Sequence, residues 1–317
     1  MTTKDTNRFA AYEKTAGLNG CQKAGAAAQA REKENLAMKP FVVLSTDFGL
    51  KDGAVCSVMG VIKSIDPEIE IYNLTHEVTK FCTWTASYRL YQSMPFWPKG
   101  TIFISVVDPG VGTPRRACVA KTSNGYYVVT PDNGSLTLVK EKFGIDEVRE
   151  IDETRNRLLG AGTDDVAIFH GRDLFGYCGG KLAAGLIDFE GVGPMYPVEE
   201  IVTIPFPKPV VKPGCAQGNV AMVCPNFGCV GTNINYQDFV NAGFALGDTV
   251  NVLVKHNNEV KFEGPVLFHR SFGYVAKGEP ILYNNELNWL DLSLNEKNMG
   301  ETYGITYGPE WTIRIWK

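Results

Sequence analysis

The chain has 317 residues, a 44% hydrophobic fraction and a net charge of −4, enough apolar material for a full core and more than one domain. No basic stripe is present and no apolar run reaches the ~18 residues of a membrane span, which argues against nucleic acid and membrane as partners. The four histidines are not paired at metal-ligand spacing and no CxxC pair occurs, so a zinc or iron site is not expected.

Residues 1–38 are rich in Ala, Lys, Glu, Gly and Gln and poor in large apolar side chains. They read as a disordered extension without the apolar core of a signal peptide. From Phe41 onward, apolar strands alternate with helical stretches. Phe41 to Asp47, Ile69 to Leu74, Thr101 to Val107 and Tyr126 to Thr130 read as strands. Ala54 to Ile65 has helical spacing, and Cys82 to Met94 reads as a helix stopped by Pro95. Val166 to Phe169 reads as a further strand leading into His170, with a helix over Leu174 to Leu186. This alternation predicts an α/β domain over 39–204, with a mostly parallel sheet covered by helices. Residues 205–214 are proline-rich and read as a stiff linker. Over 215–317 short strands separated by turn residues, such as Thr249 to Val254 and the alternating Trp311 to Trp316, predict a small all-β barrel. Cys56, Cys118 and Cys178 sit in apolar segments as small core residues, which favours reduced thiols and a cytoplasmic location.

Four predicted strands run into polar side chains: Asp47, Asp108, Asp132 with Asn133, and His170. Ligands of open α/β sheets bind beyond the carboxyl ends of the strands, so these endings can face one crevice. Asp and Asn also build turns and cap helices, which is the plainer explanation for any one of them. In Asp108-Pro-Gly-Val-Gly-Thr-Pro-Arg115, two glycines and two prolines define a tight loop that can return the guanidinium to the carboxylate. Such a pair either does chemistry or simply holds the loop shut. No GxGxxG, P-loop or GxSxG pattern occurs. An acid in Thr46-Asp-Phe-Gly49 suits ribose hydroxyls better than phosphates.

Four segments together carry a resemblance: Ser45 to Asp52, Val107 to Arg116, Pro131-Asp-Asn-Gly134 and Phe169-His-Gly-Arg-Asp173. The chain resembles the S-adenosylmethionine hydroxide adenosyltransferases, relatives of the fluorinase and chlorinase enzymes, from about residue 40 to the end. The resemblance implies an α/β domain followed by a β-barrel, and a homotrimer with active sites between subunits. It implies S-adenosylmethionine as substrate, no cofactor, and water as nucleophile. It places a catalytic triad on Asp108, Arg115 and His170. It puts the ribose-holding acid on Asp47, an aromatic wall on Phe81, adenine-lining aromatics on Phe227 and Phe272, and a further substrate-binding residue on Phe169. In Cys224-Pro-Asn-Phe-Gly-Cys229 the family's acid is absent, and Asn226 stands as its substitute. The alternatives are transfer to a halide and a non-catalytic nucleoside-binding protein.

Overall fold

The computed structural model describes residues 39–160 and 162–317; the expected disordered extension, 1–38, lies outside the described residues. The chain forms two compact units. Among the described residues the first holds 39–82, 96–133 and 139–201, and the second holds 83–95, 134–138 and 202–317.

The first unit is built on a seven-stranded sheet. Its strands are β1 (Val42–Thr46), β2 (Ile71–Thr75), β3 (Ile102–Val106), β4 (Ala117–Thr122), β5 (Tyr127–Pro131), β6 (Ile145–Glu150) and β7 (Met195–Tyr196). Their order is β2-β1-β3-β5-β4-β6-β7. The pairings β1–β2, β1–β3 and β3–β5 are parallel. The pairings of β4 with β5 and β6, and of β6 with β7, are antiparallel, so the sheet is mixed. A short turn joins β4 to β5, and only an antiparallel pair can be joined so briefly. Every residue of β1 and β3 is buried, as expected of central strands covered on both faces.

Helix Ala54–Ile65 occupies the predicted residues and buries Val55, Val58 and Ile62, one apolar stripe. It ends where Asp66 turns extended ahead of Pro67, a residue that disfavours helix before it. A second long helical stretch begins at His170, runs as a π-helix over Gly171–Gly176 and continues as an α-helix over Tyr177–Ala183. Three glycines allow it to dock closely. A Cβ at Gly176 would meet Val58 at 3.1 Å, one at Gly180 would meet Ile65 at 2.7 Å, and one at Gly179 would meet Ile104 of β3 at 2.5 Å. This close docking fixes the helix start, and with it His170.

The predicted strand Val166 to Phe169 does not form. These residues are loop, and Ile168 is 79% exposed. A four-residue apolar run is ambiguous by periodicity alone. Here it packs over the loop after β3: a Cβ at Gly112 would come within 3.3 Å of the Ala167 carbonyl.

The second unit contains β8 (Val210–Lys212), β9 (Cys215–Val223), β10 (Val230–Asn235), β11 (Thr249–His256), β12 (Glu259–Phe268), β13 (Pro280–Asn284), β14 (Trp289–Leu294) and β15 (Trp311–Trp316). The order β10-β14-β13-β12-β11-β15-β9 closes on itself through a β9–β10 pairing, giving a seven-stranded barrel with β8 added outside β9. Its core includes Val250, Val252, Phe268, Leu292, Ile313 and Ile315. Along β15, Trp311, Ile313 and Ile315 are buried while Thr312 and Arg314 are exposed, the alternation of a strand with one wet face. Helix Thr83–Ser93, although early in the chain, belongs to this unit. Its Trp84 indole donates to the Ala221 carbonyl at 2.8 Å, and Tyr88 lies 6.0 Å from the Trp289 ring.

Candidate active site

Chain order places β2 on one side of β1 and β3 on the other, so the strand order reverses at the carboxyl ends of β1 and β3. That switch point is where open α/β sheets leave a crevice. Asp47 follows β1 and Asp108 follows β3, and both line a cleft of about 340 Å³ with Phe48, Asp52, Lys80, Phe81, Ile168 and Phe169.

Asp47 is 8% exposed. Its Oδ2 accepts the Phe81 N–H at 2.9 Å, and its main-chain carbonyl accepts from Lys80 Nζ at 2.5 Å. Phe81 adopts φ 63°, a left-handed conformation uncommon for a bulky residue, and its side chain is 71% exposed. The Phe48 and Phe169 rings meet edge to face at 6.0 Å, and the Arg172 guanidinium lies 4.8 Å above Phe169.

The loop after β3 returns as the sequence predicts. Arg115 Nε lies 3.2 and 3.0 Å from the two Asp108 carboxylate oxygens, and Nη2 donates to Oδ2 at 2.7 Å. The side chains are 10% and 5% exposed, so the pair is shielded from water. Arg115 Nη2 also lies 2.8 Å from His170 Nδ1. A guanidinium only donates, so Nδ1 accepts and the neutral ring carries its proton on Nε2. Burial, then the Arg115 charge, lowers the His170 pKa below its usual value. Arg115 and His170 are not among the cleft's lining residues; they are joined to it through Asp108.

The polar strand end formed by Asp132 and Asn133 divides. The Asn133 amide donates to the Val107 carbonyl at 2.9 Å and so braces the residue before Asp108. Asp132 turns elsewhere and accepts from the Tyr196 hydroxyl at 3.0 Å. Among the described residues no group of three or more His, Cys, Asp or Glu is arranged to hold a metal ion.

Asn226, Phe227 and Phe272 line a different cavity, of about 910 Å³, in the second unit. Phe227 is 72% exposed, and Phe272 lies 5.0 Å from the Tyr283 ring. Sequence reading missed the buried carboxylate among those lining this cavity. Asp291 on β14 is 8% exposed and accepts from the Asn285 amide at 2.7 Å, and burial raises its pKa to about 7. It sits inside an apolar strand, which gave no motif to find it by. Lys80 and Phe48 were likewise missed as lining residues; Phe48 lay within a quoted motif, whereas Lys80 gave no signal.

Acids gathered at the switch point of an open α/β sheet, in a chain that ends in a closed barrel, define an α/β protein with a small-molecule cleft. Residues 42–193 match the SAM hydroxide adenosyltransferase N-terminal domain, and residues 218–312 match the SAM hydroxide adenosyltransferase C-terminal domain. The chain belongs to this family. It is 31% identical over 278 residues to the (R)-S-adenosyl-L-methionine hydrolase of Salinispora tropica, covering 88% of this chain and 99% of that one. It is 27% identical over 277 residues to the enzyme of the same name from Methanocaldococcus jannaschii, covering 86% and 95%. The crystal structure of an uncharacterised conserved protein from Thermotoga maritima superposes with a TM-score of 0.79 at 35% identity, covering 87% of this chain and all of that one.

Proposed function

We propose that this chain hydrolyses S-adenosylmethionine to adenosine and L-methionine. The observation that carries the reading is the linked set Asp108, Arg115 and His170 beside the cleft that Asp47 lines. The sulfonium is a good leaving group and water a weak nucleophile, so the task is to align water with C5′ and remove its proton. Alignment alone lowers such a barrier by several kcal/mol.

The geometry supports distinct roles. His170 holds Arg115 by accepting at Nδ1, and its Nε2 is already protonated, so the ring is not the proton acceptor in this arrangement. Asp108 is the group left to orient water and take the proton, a contribution of about 10²- to 10⁴-fold. Arg115 holds the carboxylate and stabilises charge as hydroxide develops. Water oxygen bonds to C5′ as the C5′–S bond breaks, methionine leaves with the electron pair, and the proton passes by way of Asp108 to solvent. Asp47 holds the ribose hydroxyls, with Phe81 and Phe169 beside them. Asn226, Phe227 and Phe272 are assigned to adenine and the methionine tail from the family resemblance.

That resemblance also carries the proposal of a homotrimer with active sites between subunits, which light scattering tests directly. No helix among the described residues is long and apolar enough to cross a membrane. Cys118 and Cys178 are buried free thiols, which supports a reducing, cytoplasmic setting.

The deciding experiment incubates the pure protein with the (R) sulfonium epimer of S-adenosylmethionine in oxygen-18 water. Adenosine carrying the label at its 5′ oxygen is the expected product. Saturable binding without turnover would replace this reading with that of a nucleoside-binding protein.

A further inference from the structure

The segment that carries Asp47 is tied to the residues after β2 by five hydrogen bonds. Val78 N–H donates to the Thr46 carbonyl at 3.3 Å, and Gly49 N–H donates to the His76 carbonyl at 2.7 Å. Lys80 Nζ donates to the Asp47 carbonyl and Phe81 N–H to its Oδ2. The fifth bond joins two side chains, Thr46 Oγ1 and His76 Nδ1, at 2.8 Å. Both residues are buried, at 2% and 3% exposure.

The direction of each bond follows from its partners. His76 Nε2 lies 2.9 Å from Asn73 Oδ1, an acceptor, so Nε2 carries the proton. Nδ1 is then an acceptor, and the Thr46 hydroxyl donates to it. The hydroxyl oxygen in turn accepts the Phe48 N–H at 3.2 Å. Burial lowers the His76 pKa, which keeps the ring neutral and Nδ1 open to the hydroxyl.

The Phe48 N–H and the Asp47 carbonyl belong to one peptide plane. Lys80 holds the carbonyl edge, and the Thr46 hydroxyl, aimed by His76, holds the N–H edge. A planar peptide gripped on both edges cannot rotate, and its orientation sets where the Asp47 side chain emerges. Phe81 N–H holds one carboxylate oxygen, Oδ2, and Asp47 lines the cleft.

We propose that His76 is a positioning residue for substrate, acting through the Thr46 hydroxyl on the Asp47–Phe48 peptide plane. The proposal rests on the reading of Asp47 as the ribose-holding acid. A buried histidine that only completes the fold would lower stability and weaken every ligand alike. A positioning residue weakens those ligands that carry ribose hydroxyls.

The test measures binding of adenosine and of 2′,3′-dideoxyadenosine by calorimetry. The proteins are wild type, His76→Gln, Thr46→Val and Thr46→Ser, each with a melting curve. Wild type is expected to prefer adenosine. In His76→Gln and Thr46→Val that preference should shrink by about tenfold or more, the loss of one charge-assisted hydrogen bond. Thr46→Ser keeps the hydroxyl and should keep the preference. If His76→Gln does not fold, Thr46→Val carries the test, because valine nearly fills the volume of threonine. An undiminished preference in the folded variants, with both ligands weakened equally, overturns the role of His76. No preference in wild type overturns the reading of Asp47 itself, and this proposal with it.

Discussion

Arg115 Nη2 lies 2.8 Å from Nδ1 of His170, and because arginine has no lone pair to offer, that distance fixes which ring nitrogen is bare. Protonating the ring puts a hydrogen on Nδ1, facing a cation. Activity should therefore fall on the acid side, with a midpoint below the ordinary histidine value of 6.5 because the pKa is lowered. In His170→Gln the amide oxygen can take over as acceptor. That variant should keep measurable activity while its acid limb moves to lower pH. A kcat/KM profile with an unmoved acid limb in His170→Gln would remove His170 from the linked set.

The same ring, with His76, makes stability depend on pH. Both have folded pKa values lowered by burial, so the unfolded chain binds protons first as pH falls. Their contribution is fully present above the unfolded value of 6.5 and is lost as pH falls from there through the folded values. Melting temperature should be level above about pH 7.5 and decline toward about pH 5.5. The decline should be shallower in His170→Gln, and an equally steep one would show that other groups set it.

Lysine at position 115 keeps the charge and loses the fork. It cannot contact both Asp108 oxygens and His170 Nδ1 in the present geometry. Arg115→Lys should cost about 10²-fold in kcat, and Asp108→Asn at least as much. The double variant should be little worse than Asp108→Asn alone, because the residues act as a unit. Steady-state rates that multiply would mean that the two do separate jobs.

Asp47→Ala should act mainly through KM. Hydrogen bonds to an ionised group are worth about 1.5–3 kcal/mol each, so KM should rise by about tenfold or more with a smaller change in kcat. An unchanged KM would take Asp47 out of the binding site.

Added chloride or fluoride should not accelerate the reaction. The Asp108 carboxylate lines the cleft, and Arg115, the cation nearest it, is engaged by both of its oxygens and by His170. An anion entering there meets negative charge, whereas water finds a hydrogen-bond acceptor. Product analysis in halide buffers should show adenosine alone; 5′-halogenated nucleoside at a comparable rate would reassign the nucleophile.

How much of this was legible in the sequence varied with the kind of interaction. Helix Ala54–Ile65 was plain because its apolar stripe has helical period, and β1 and β3 were plain because buried central strands are unbroken apolar runs. Strands β4 and β6 were not seen. In β6, charged residues surround the single fully buried Val148, so its apolar signal is weak. Asp47 and Asp108 announced themselves as acids at strand ends, and the Asp108 to Arg115 loop by its glycines and prolines. The Val166 to Phe169 segment misled because four apolar residues can cover a loop as well as fill a sheet. Thr46 and His76 were silent because no local pattern marks two residues on neighbouring strand ends whose side chains meet. The carboxyl group of Asp291 was silent for a related reason: an acid inside an apolar strand shows its strangeness only when its burial is known.

Gly171 opens the π-helix right after His170, and a Cβ there would come within 2.8 Å of the Phe48 ring. The two positions, distant in the chain, therefore share one volume. Enlarging residue 171 must displace the end of the Phe48 ring, and so moves the cleft wall. Paired substitutions such as Gly171→Ala with Phe48→Leu relieve that contact and open a route to reshaping the cleft. The same coupling gives lineage comparisons a signature to look for, since size at one position should trade against size at the other.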